Sequence, residues 1–440
     1  MTEPAADFSI TKLGESTIQS PLVLSKSMGD LIANYVTDEQ RVAYNIELVD
    51  SDRGRSAEAM GLLEKAGPRE AIYFDPSKVH AGIVTCGGLC PGLNNVIRAI
   101  VMTLWHSYGV RQISGIRYGY RGLLPELGAR MKALSPEVVS DIHRAGGTIL
   151  GSARGGGQRT AELVDAMDKM NLTMLFAIGG DGTQRGALAL SDEIRRRGKK
   201  MVVVGIPKTI DNDLSFVERS FGFETAVSEA VHAVDGAHTE ARGAIDGVGI
   251  VKVMGRESGF IAAHTALATN DVNFLLVPEL PFDLDGPRGL LALLERRLDA
   301  RHHAVIVVAE GAGQGLVRVE GKDASGNQKL GDIGLYLKDR IADYFEERRR
   351  EMNIKYIDPS YIIRSTAANP ADAIYCARLG SNAVHAAMSG RTGCLVGRVN
   401  NRLVHVPISL ATRHRNSIDP ESPLWRDVVE STGQPPLIVN

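Results

Sequence analysis

Cysteine is scarce in this chain. Four residues, Cys86, Cys90, Cys376 and Cys394, are spread over 440 positions. That excludes a disulfide framework and makes a reducing compartment the expectation. Zinc is excluded on similar grounds: Cys86 and Cys90 have no second Cys/His pair at ligand spacing to complete a structural site. A surplus of one charge is also missing, because 50 Lys and Arg face 52 Asp and Glu. A near-neutral chain is not built to coat nucleic acid, so no nucleic-acid partner is expected. The runs "RRRGKK" (195–200) and "EERRRE" (346–351) read instead as solvated helix ends, where cations complement the carbonyl end of the dipole. No apolar run approaches the ~20 residues that span a bilayer, so no membrane partner is expected. The opening "MTEPAADFSI" lacks a basic start and an apolar core, and the closing "IVN" is not a peroxisomal address. A cytoplasmic location is expected. No internal repeat of solenoid period is found.

Glycine, by contrast, is plentiful at 47 residues, clustered behind apolar runs. "HAGIVTC" (80–86), "VRQISGI" (110–116), "TMLFAIG" (173–179), "MVVVGI" (201–206), "GVGIVKV" (247–253), "VNFLLVP" (272–278) and "AVIVVAE" (304–310) read as buried strands. Helical patterns such as "ALALSDEIRRRG" and "GLLALLERRLD" lie between them. That alternation predicts an α/β fold with mainly parallel sheets, since continuous apolar runs suit strands covered on both faces. Residues 1–75 are less patterned and read as an N-terminal extension, partly helical, that wraps the core or a neighbour.

In parallel α/β folds ligands bind beyond the carboxyl ends of strands. Three Gly-rich segments, "CGGLCPGLNN", "GSARGGG" (151–157) and "IGGDGTQRGA" (178–187), read as sitting at such ends. Gly87 and Gly88 let backbone approach a ligand, the following helix offers free N–H groups to an anion, and Arg154 adds a cation. Asp181 inside "GGDGT" would repel phosphate unless a cation lies between them, which points to Mg²⁺; the alternative is a helix cap. "IPKTIDNDL" (206–214) follows another strand. A turn is the plain reading, but Asp211 and Asp213 beside a phosphoryl donor suit a base and its support, with Thr209 orienting a phosphate or hydroxyl.

With "CGGLCPGLN", "GSARGG", "GGDGT", "PKTIDND", "VMGRESG" and "VPE" in this order, residues 76–412 strongly resemble the 6-phosphofructokinase family. The resemblance implies phosphorylation of fructose 6-phosphate at its 1-hydroxyl, a step of glycolysis, by two three-layer α/β domains with the active site in the cleft between them. It implies a nucleotide domain of residues 76–222 and 364–412 and a sugar-phosphate domain of residues 223–363 and 413–440. Asp211 is implied as base, Asp213 as partner, Thr209 beside them, and Arg154 and Arg256 as stabilisers of the transferring group. Gly88, Arg154, Gly180, Asp181, Gly182, Thr183, Gln184 and Lys208 are implied to bind the donor, Asp181 through Mg²⁺. Thr209, Asp211, Met254, Gly255, Arg256, Glu279, Lys355, Tyr361 and Arg364 are implied to bind the sugar phosphate. Tyr361 stands where bacterial members usually carry His. The resemblance implies Lys355 as a phosphate contact contributed by a neighbouring subunit, which makes a homo-oligomer, a tetramer, the expectation. Gly247 stands where compact bacterial relatives place an Arg, and they lack the N-terminal extension, so their effector site is not carried over.

The donor signature is mixed. Pyrophosphate users in the family carry Asp after "GGD" and Lys before "TIDND", ATP users Gly at both, and this chain has Gly182 and Lys208. An Asp at 182 would crowd and repel an α-phosphate, whereas Lys208 tolerates either donor. The chain therefore resembles the ATP-dependent branch of trypanosomatids and plants, with a pyrophosphate-dependent enzyme as the alternative. A "GGDGT" kinase for NAD or a lipid is disfavoured by "TIDND" and "MGR", and a sensor without turnover by the presence of Asp211.

Overall fold

The computed structural model describes residues 6–47, 61–127, 131–317, 319–321 and 329–440. Along the chain come five short strands, β1 (Thr11–Lys12), β2 (Ile18–Gln19), β3 (Arg41–Ala43), β4 (Leu62–Lys65) and β5 (Ala71–Ile72). Then follow β6 (His80–Thr85), helix α1 (Leu93–Met102), β7 (Gln112–Ile116), β8 (Met131–Ala133), α2 (Thr160–Lys169), β9 (Met174–Gly179), α3 (Asp181–Arg196) and β10 (Val202–Pro207). The next stretch holds α4 (Phe223–Arg242), β11 (Gly247–Val253), α5 (Phe260–Thr269), β12 (Phe274–Leu276), α6 (Leu290–Arg301), β13 (His303–Ala309), α7 (Ile333–Glu347), β14 (Asn353–Ile357) and α8 (Ser360–Ser365). The chain closes with α9 (Pro370–Met388), β15 (Arg391–Thr392), β16 (Cys394–Val399), β17 (Arg402–Pro407), α10 (Ile408–Ala411) and α11 (Pro423–Thr432). Each anticipated apolar run forms a strand. β12 is the shortest of them because Val277 leads into Pro278, which has no N–H for a ladder.

The chain sorts into two compact units. The first comprises Met1–Ile210, Leu214–Gly222 and Thr366–Arg415; the second comprises Asp211–Asp213, Phe223–Ser365 and Asn416–Asn440. The boundaries expected at 364 and 413 therefore fall at 366 and 416, and Arg364 goes with the second unit. In the first unit a nine-stranded sheet runs β3-β4-β17-β16-β10-β9-β6-β7-β8. Its centre is parallel: β10 pairs with β9 and β16, and β6 with β9 and β7, while the outer pairs are antiparallel. β9 and β10 are buried along their whole length, as continuous apolar strands between helix layers should be. The second unit holds a smaller parallel sheet, β12-β13-β11-β14. Its separate core includes Ile250, Leu294, Ile306, Leu337 and Phe345.

The N-terminal extension departs from expectation. No α-helix forms among its described residues; they form short strands, of which β2 and β5 pair with each other. β1 pairs with β15, and β3 and β4 extend the large sheet beyond β17. The apolar residues here stand singly, as Phe8, Ile10 and Leu13 do, or in short runs such as 22–24, without sustained helical spacing, and strand pairing satisfies the backbone instead. A buried ionic knot reinforces this seam. Glu64 Oε1 accepts from Arg69 Nη2 at 3.0 Å, from His405 Nδ1 at 2.9 Å, and from Arg391 Nε. Asp38 bonds Arg69 at 2.8 Å, Arg391 at 2.7 Å and Lys12 at 2.6 Å. Burial alone would push the Glu64 carboxyl up, but the His405 ring and Arg391 hold it down at about 2.

Removing one partner of a buried pair leaves uncompensated charge, which is costly. Glu64→Gln is therefore expected to lower stability by about 3 kcal/mol in denaturant unfolding, the low end for such changes because Asp38 still faces both guanidinium groups. A loss of only a few tenths would show that the knot does not hold the extension.

Candidate active site

Three loops meet at the carboxyl ends of β6, β9 and β10 in the first unit. Cys86 N–H donates to Ile178 O at 2.9 Å, Gly87 N–H to Ala153 O at 3.1 Å, and Lys208 N–H to Gly179 O at 3.0 Å. Ser152 Oγ adds a bond of 2.6 Å to Gly87 O. Gly87 has φ of 87°, a left-handed conformation that glycine adopts without strain. Lys208 is 8% exposed, and its Nζ donates to Gly88 O at 2.7 Å. The ammonium therefore stands between the "IPK" strand end and the "GGL" loop, a positive charge held against the backbone of Gly88. Arg154 lies exposed on the adjoining glycine loop.

Helix α3 opens at Asp181 after the N-cap residue Gly180, presenting its positive end at the same place. Asp181 is half-buried and pairs with Arg185 at 3.1 Å. Gly182 is exposed, and a Cβ there would meet nothing within 4 Å. Thr183 is buried, and its carbonyl accepts a 2.9 Å bond from Tyr120 Oη. Gln184 turns the other way. Its amide is fully buried, donating to Gly179 O at 2.9 Å and Ile206 O at 3.2 Å. Its side chain ties β9 to β10 and faces no open space, so it does not contribute to a ligand surface. Gly205 is small because any Cβ would collide with that amide.

Asp211 to Asp213 belong to the second unit, where the ends of β11 and β13 lie side by side. Glu310 N–H donates to Val253 O at 2.9 Å and Gly311 N–H to Gly255 O at 3.0 Å. Met254 is buried and Gly255 has φ of 128°, so the "MGR" turn needs its glycine. Ser258 Oγ donates to Asp211 O at 3.2 Å, and the Arg256 backbone N–H reaches the Asp211 carboxyl. Asp213 O accepts from Asn416 N–H at 2.9 Å. The Asp211 residue is half-buried, yet its Oδ1 is sealed from solvent and meets no hydrogen-bond partner among the described residues. Burial, then the carboxylates of Asp213 and Glu310, push the Asp211 carboxyl up to about 7, against the pull of Arg364. A carboxyl poised there can take a proton near neutral pH.

Of the residues singled out in sequence, the second unit thus brings Asp211, Asp213, Arg256 and Arg364 together. Thr209 is half-buried, and its carbonyl accepts from Ser220 Oγ in the first unit. Glu279 has a structural engagement: its Oε1 accepts from Gly259 N–H at 2.9 Å and Ile418 N–H at 2.8 Å, while Oε2 is buried without a partner. Lys355 is not among the groups acting on Asp211; it faces Glu240 at 3.8 Å beside a hollow lined by Thr239, Ile245 and Asn353. Tyr361 is 82% exposed on α8. Two residues escaped the sequence reading. Glu310 closes the strand "AVIVVAE", and its place at a strand end is the signal that could have found it. Tyr120 gives no signal, since only packing places its ring against Gly157 and Gly186.

Comparison with known proteins adds the following. Residues 80–387 match a family model described as Phosphofructokinase. The ATP-dependent 6-phosphofructokinase of Borreliella burgdorferi is 54% identical over 438 residues, covering 98% of this chain and 97% of its own. The ATP-dependent 6-phosphofructokinase of Trypanosoma cruzi is 48% identical, with 84% of this chain and 76% of its own covered. A chloroplastic counterpart in Arabidopsis thaliana is 46% identical over 92% of this chain and 76% of its own. Among solved structures, the pyrophosphate-dependent phosphofructokinase from Marinobacter aquaeolei superimposes with a TM-score of 0.67 over 82% of this chain and 92% of its own. At 20% identity that likeness concerns the fold alone.

A raised carboxyl destabilises the folded state once the unfolded chain can ionise it and the folded chain cannot. For Asp211 that cost sets in above the ordinary value of 3.8, grows as pH rises to about 7, and is constant beyond. Asp211→Asn is therefore expected to be more stable than the parent at pH 8 by about 1–3 kcal/mol, with the gap closing toward pH 4. Denaturant unfolding at both pH values measures it; a gap independent of pH would remove the account of the raised carboxyl.

Proposed function

The chain belongs to the phosphofructokinase family, and from that premise we propose how its own residues carry out the reaction. The activity is that of an ATP-dependent 6-phosphofructokinase: the γ-phosphoryl of ATP passes to the 1-hydroxyl of fructose 6-phosphate, giving fructose 1,6-bisphosphate. The ATP-dependent relatives favour this reading over the pyrophosphate alternative.

Asp211 is the base that takes the hydroxyl proton as oxygen attacks phosphorus. The observation that carries this is its sealed, unpartnered Oδ1 and a carboxyl raised to about 7. Asp213 and Glu310 keep it a competent proton acceptor by repelling its charge, while Arg364 limits the rise. Arg256 and Arg154 stabilise the transferring group, because such catalysis is largely positioning and charge stabilisation. The first unit serves as donor domain: Gly88, Gly180, Gly182 and the first turn of α3 offer amides to phosphate, and Lys208 supplies a buried cation. The second unit serves as sugar-phosphate domain, with Met254, Gly255, Arg256, Tyr361 and Arg364 facing the acceptor and Thr209 orienting it.

Asp181 fits a magnesium ion. It is a partly exposed carboxylate at a helix start, and no cluster of three or more acidic, His or Cys ligands stands among the described residues. Mg²⁺ of this kind is held by one or two carboxylates and substrate phosphates, so Asp181 alone suffices on the protein side. When bound, the ion neutralises charge developing on the phosphates. We further propose a cytoplasmic homotetramer, in which Lys355, set apart from the groups acting on Asp211, reaches a neighbour's sugar phosphate. No described helix is long and apolar enough to cross a membrane.

Two measurements test the reading. In a coupled assay with fructose 6-phosphate and ATP, kcat/KM is expected to rise with pH through about 7 as Asp211 ionises. Asp211→Ser is expected to lower kcat by ~10²-fold or more and abolish that limb; near-normal kcat in the variant rejects Asp211 as base. Gly182→Asp has open space for its side chain and should fold normally. It is expected to damage ATP use far more than pyrophosphate use, and unchanged ATP activity would remove Gly182 as a determinant of the donor.

A further inference from the structure

Away from the reacting groups, the second unit contains an ionic cluster that the reaction does not use. Lys252 lies on β11, two residues before Met254, with a side chain 12% exposed. Its Nζ donates to Asp332 Oδ2 at 2.8 Å and pairs with Asp358 Oδ2 at 2.9 Å. Tyr356 Oη on β14 donates to Asp332 Oδ1 at 2.9 Å, and Asp332 caps α7 by accepting from Leu335 N–H at 3.1 Å. Burial would push the Lys252 ammonium down, but its bonds to Asp332 and Asp358 hold it well above the usual lysine range. Two strands and two helix starts therefore converge on one cation.

Asp358 is the informative member. It stands directly after β14, and its Oδ1 accepts from Ser360 N–H at 3.1 Å and Ser360 Oγ at 2.5 Å, so it shapes the entry to α8. Helix α8 is six residues long, too short to hold its own direction, and Ile363 is its buried residue. Tyr361 and Arg364 project from it, and the Arg364 charge acts on Asp211. The direction of α8 must therefore come from its ends, and the amino end is tied to Lys252.

We propose that Lys252 is a positioning residue for the sugar phosphate: by holding Asp358 beside β11, it sets where α8 begins and hence where Tyr361 and Arg364 point. The cation is needed because Asp332 and Asp358 would otherwise face each other as like charges. This rests on the reading of Tyr361 and Arg364 as contacts of the sugar phosphate.

The test compares Lys252→Met, Lys252→Arg, Asp358→Asn and Arg364→Met in the full chain, with KM for each substrate, kcat and melting temperature. Lys252→Met is expected to raise KM for fructose 6-phosphate ~10-fold while kcat and KM for ATP stay within about threefold, the pattern of lost substrate binding. Lys252→Arg should restore most of that loss, because its fork can still reach both carboxylates. Asp358→Asn keeps an oxygen for Ser360 and loses only the charge, so it should show the same split more weakly; it carries the test if Lys252→Met fails to fold. Normal sugar-phosphate KM in Lys252→Met and Asp358→Asn, with KM raised in Arg364→Met, overturns the positioning role and leaves the reading of α8 intact. Unchanged KM in Arg364→Met removes that reading and the inference with it. Equal loss for both substrates with a lowered melting temperature assigns Lys252 a structural role and also overturns the proposal.

Discussion

A carboxylate with one oxygen sealed from water and unmatched by any donor is the constraint around which this protein is organised. Ionising such a group costs free energy, so the fold has to oppose that cost by other means. For Asp211 the opposition comes from Arg364 and the Arg256 backbone amide, while Asp213 and Glu310 work in the other direction. The balance leaves a carboxyl near 7 instead of one in the ordinary carboxylate range. A well-solvated aspartate would be a weaker base, and one without any cation nearby would hardly ionise. The price in stability is local and belongs to the chemistry.

The first unit solves a different problem, that of offering positive potential without bulk. On the proposed reading, glycines at 87, 88, 180 and 182 keep backbone amides within reach of an anion, and Lys208 and Arg154 supply full charge. Lys208 is buried and hydrogen-bonded to Gly88 O, so it holds the loop as well as charging it. Gln184 performs the complementary task below the surface, bonding carbonyls of β9 and β10 where the strands end. Tyr120 fastens the first turn of α3 from the side. The loop is thus supported from below by the buried side chains of Gln184 and Tyr120 as well as by Lys208.

The same use of buried polar ties recurs at a distance. Glu64 and Asp38 with Arg69 and Arg391 fasten the N-terminal strands to the large sheet, and Lys252 fastens two helix starts in the second unit. Apolar burial is non-directional and tolerates small slips, whereas charge-assisted hydrogen bonds fix register. Such ties are found where a strand or helix too short to specify its own direction has to be aimed.

The amino-acid sequence by itself determined the α/β class, the main strands, and the glycine, aspartate and lysine positions of the loops, because those features are local. Apolar runs bounded by Gly and Pro have few other solutions, and motifs such as "GGDGT" and "TIDND" carry their chemistry within a few residues. Tertiary structure decided the rest. It showed that Gln184 faces inward although it sits in the donor motif, and that Glu279 holds two backbone amides. It made strands of an extension that reads as partly helical, and it set Glu310 beside Asp211 across about a hundred residues of chain. The physical reason is common to all four. The direction of a side chain, the partner of a strand edge and the free energy of a buried charge depend on atoms brought near by folding, and no window of sequence contains them.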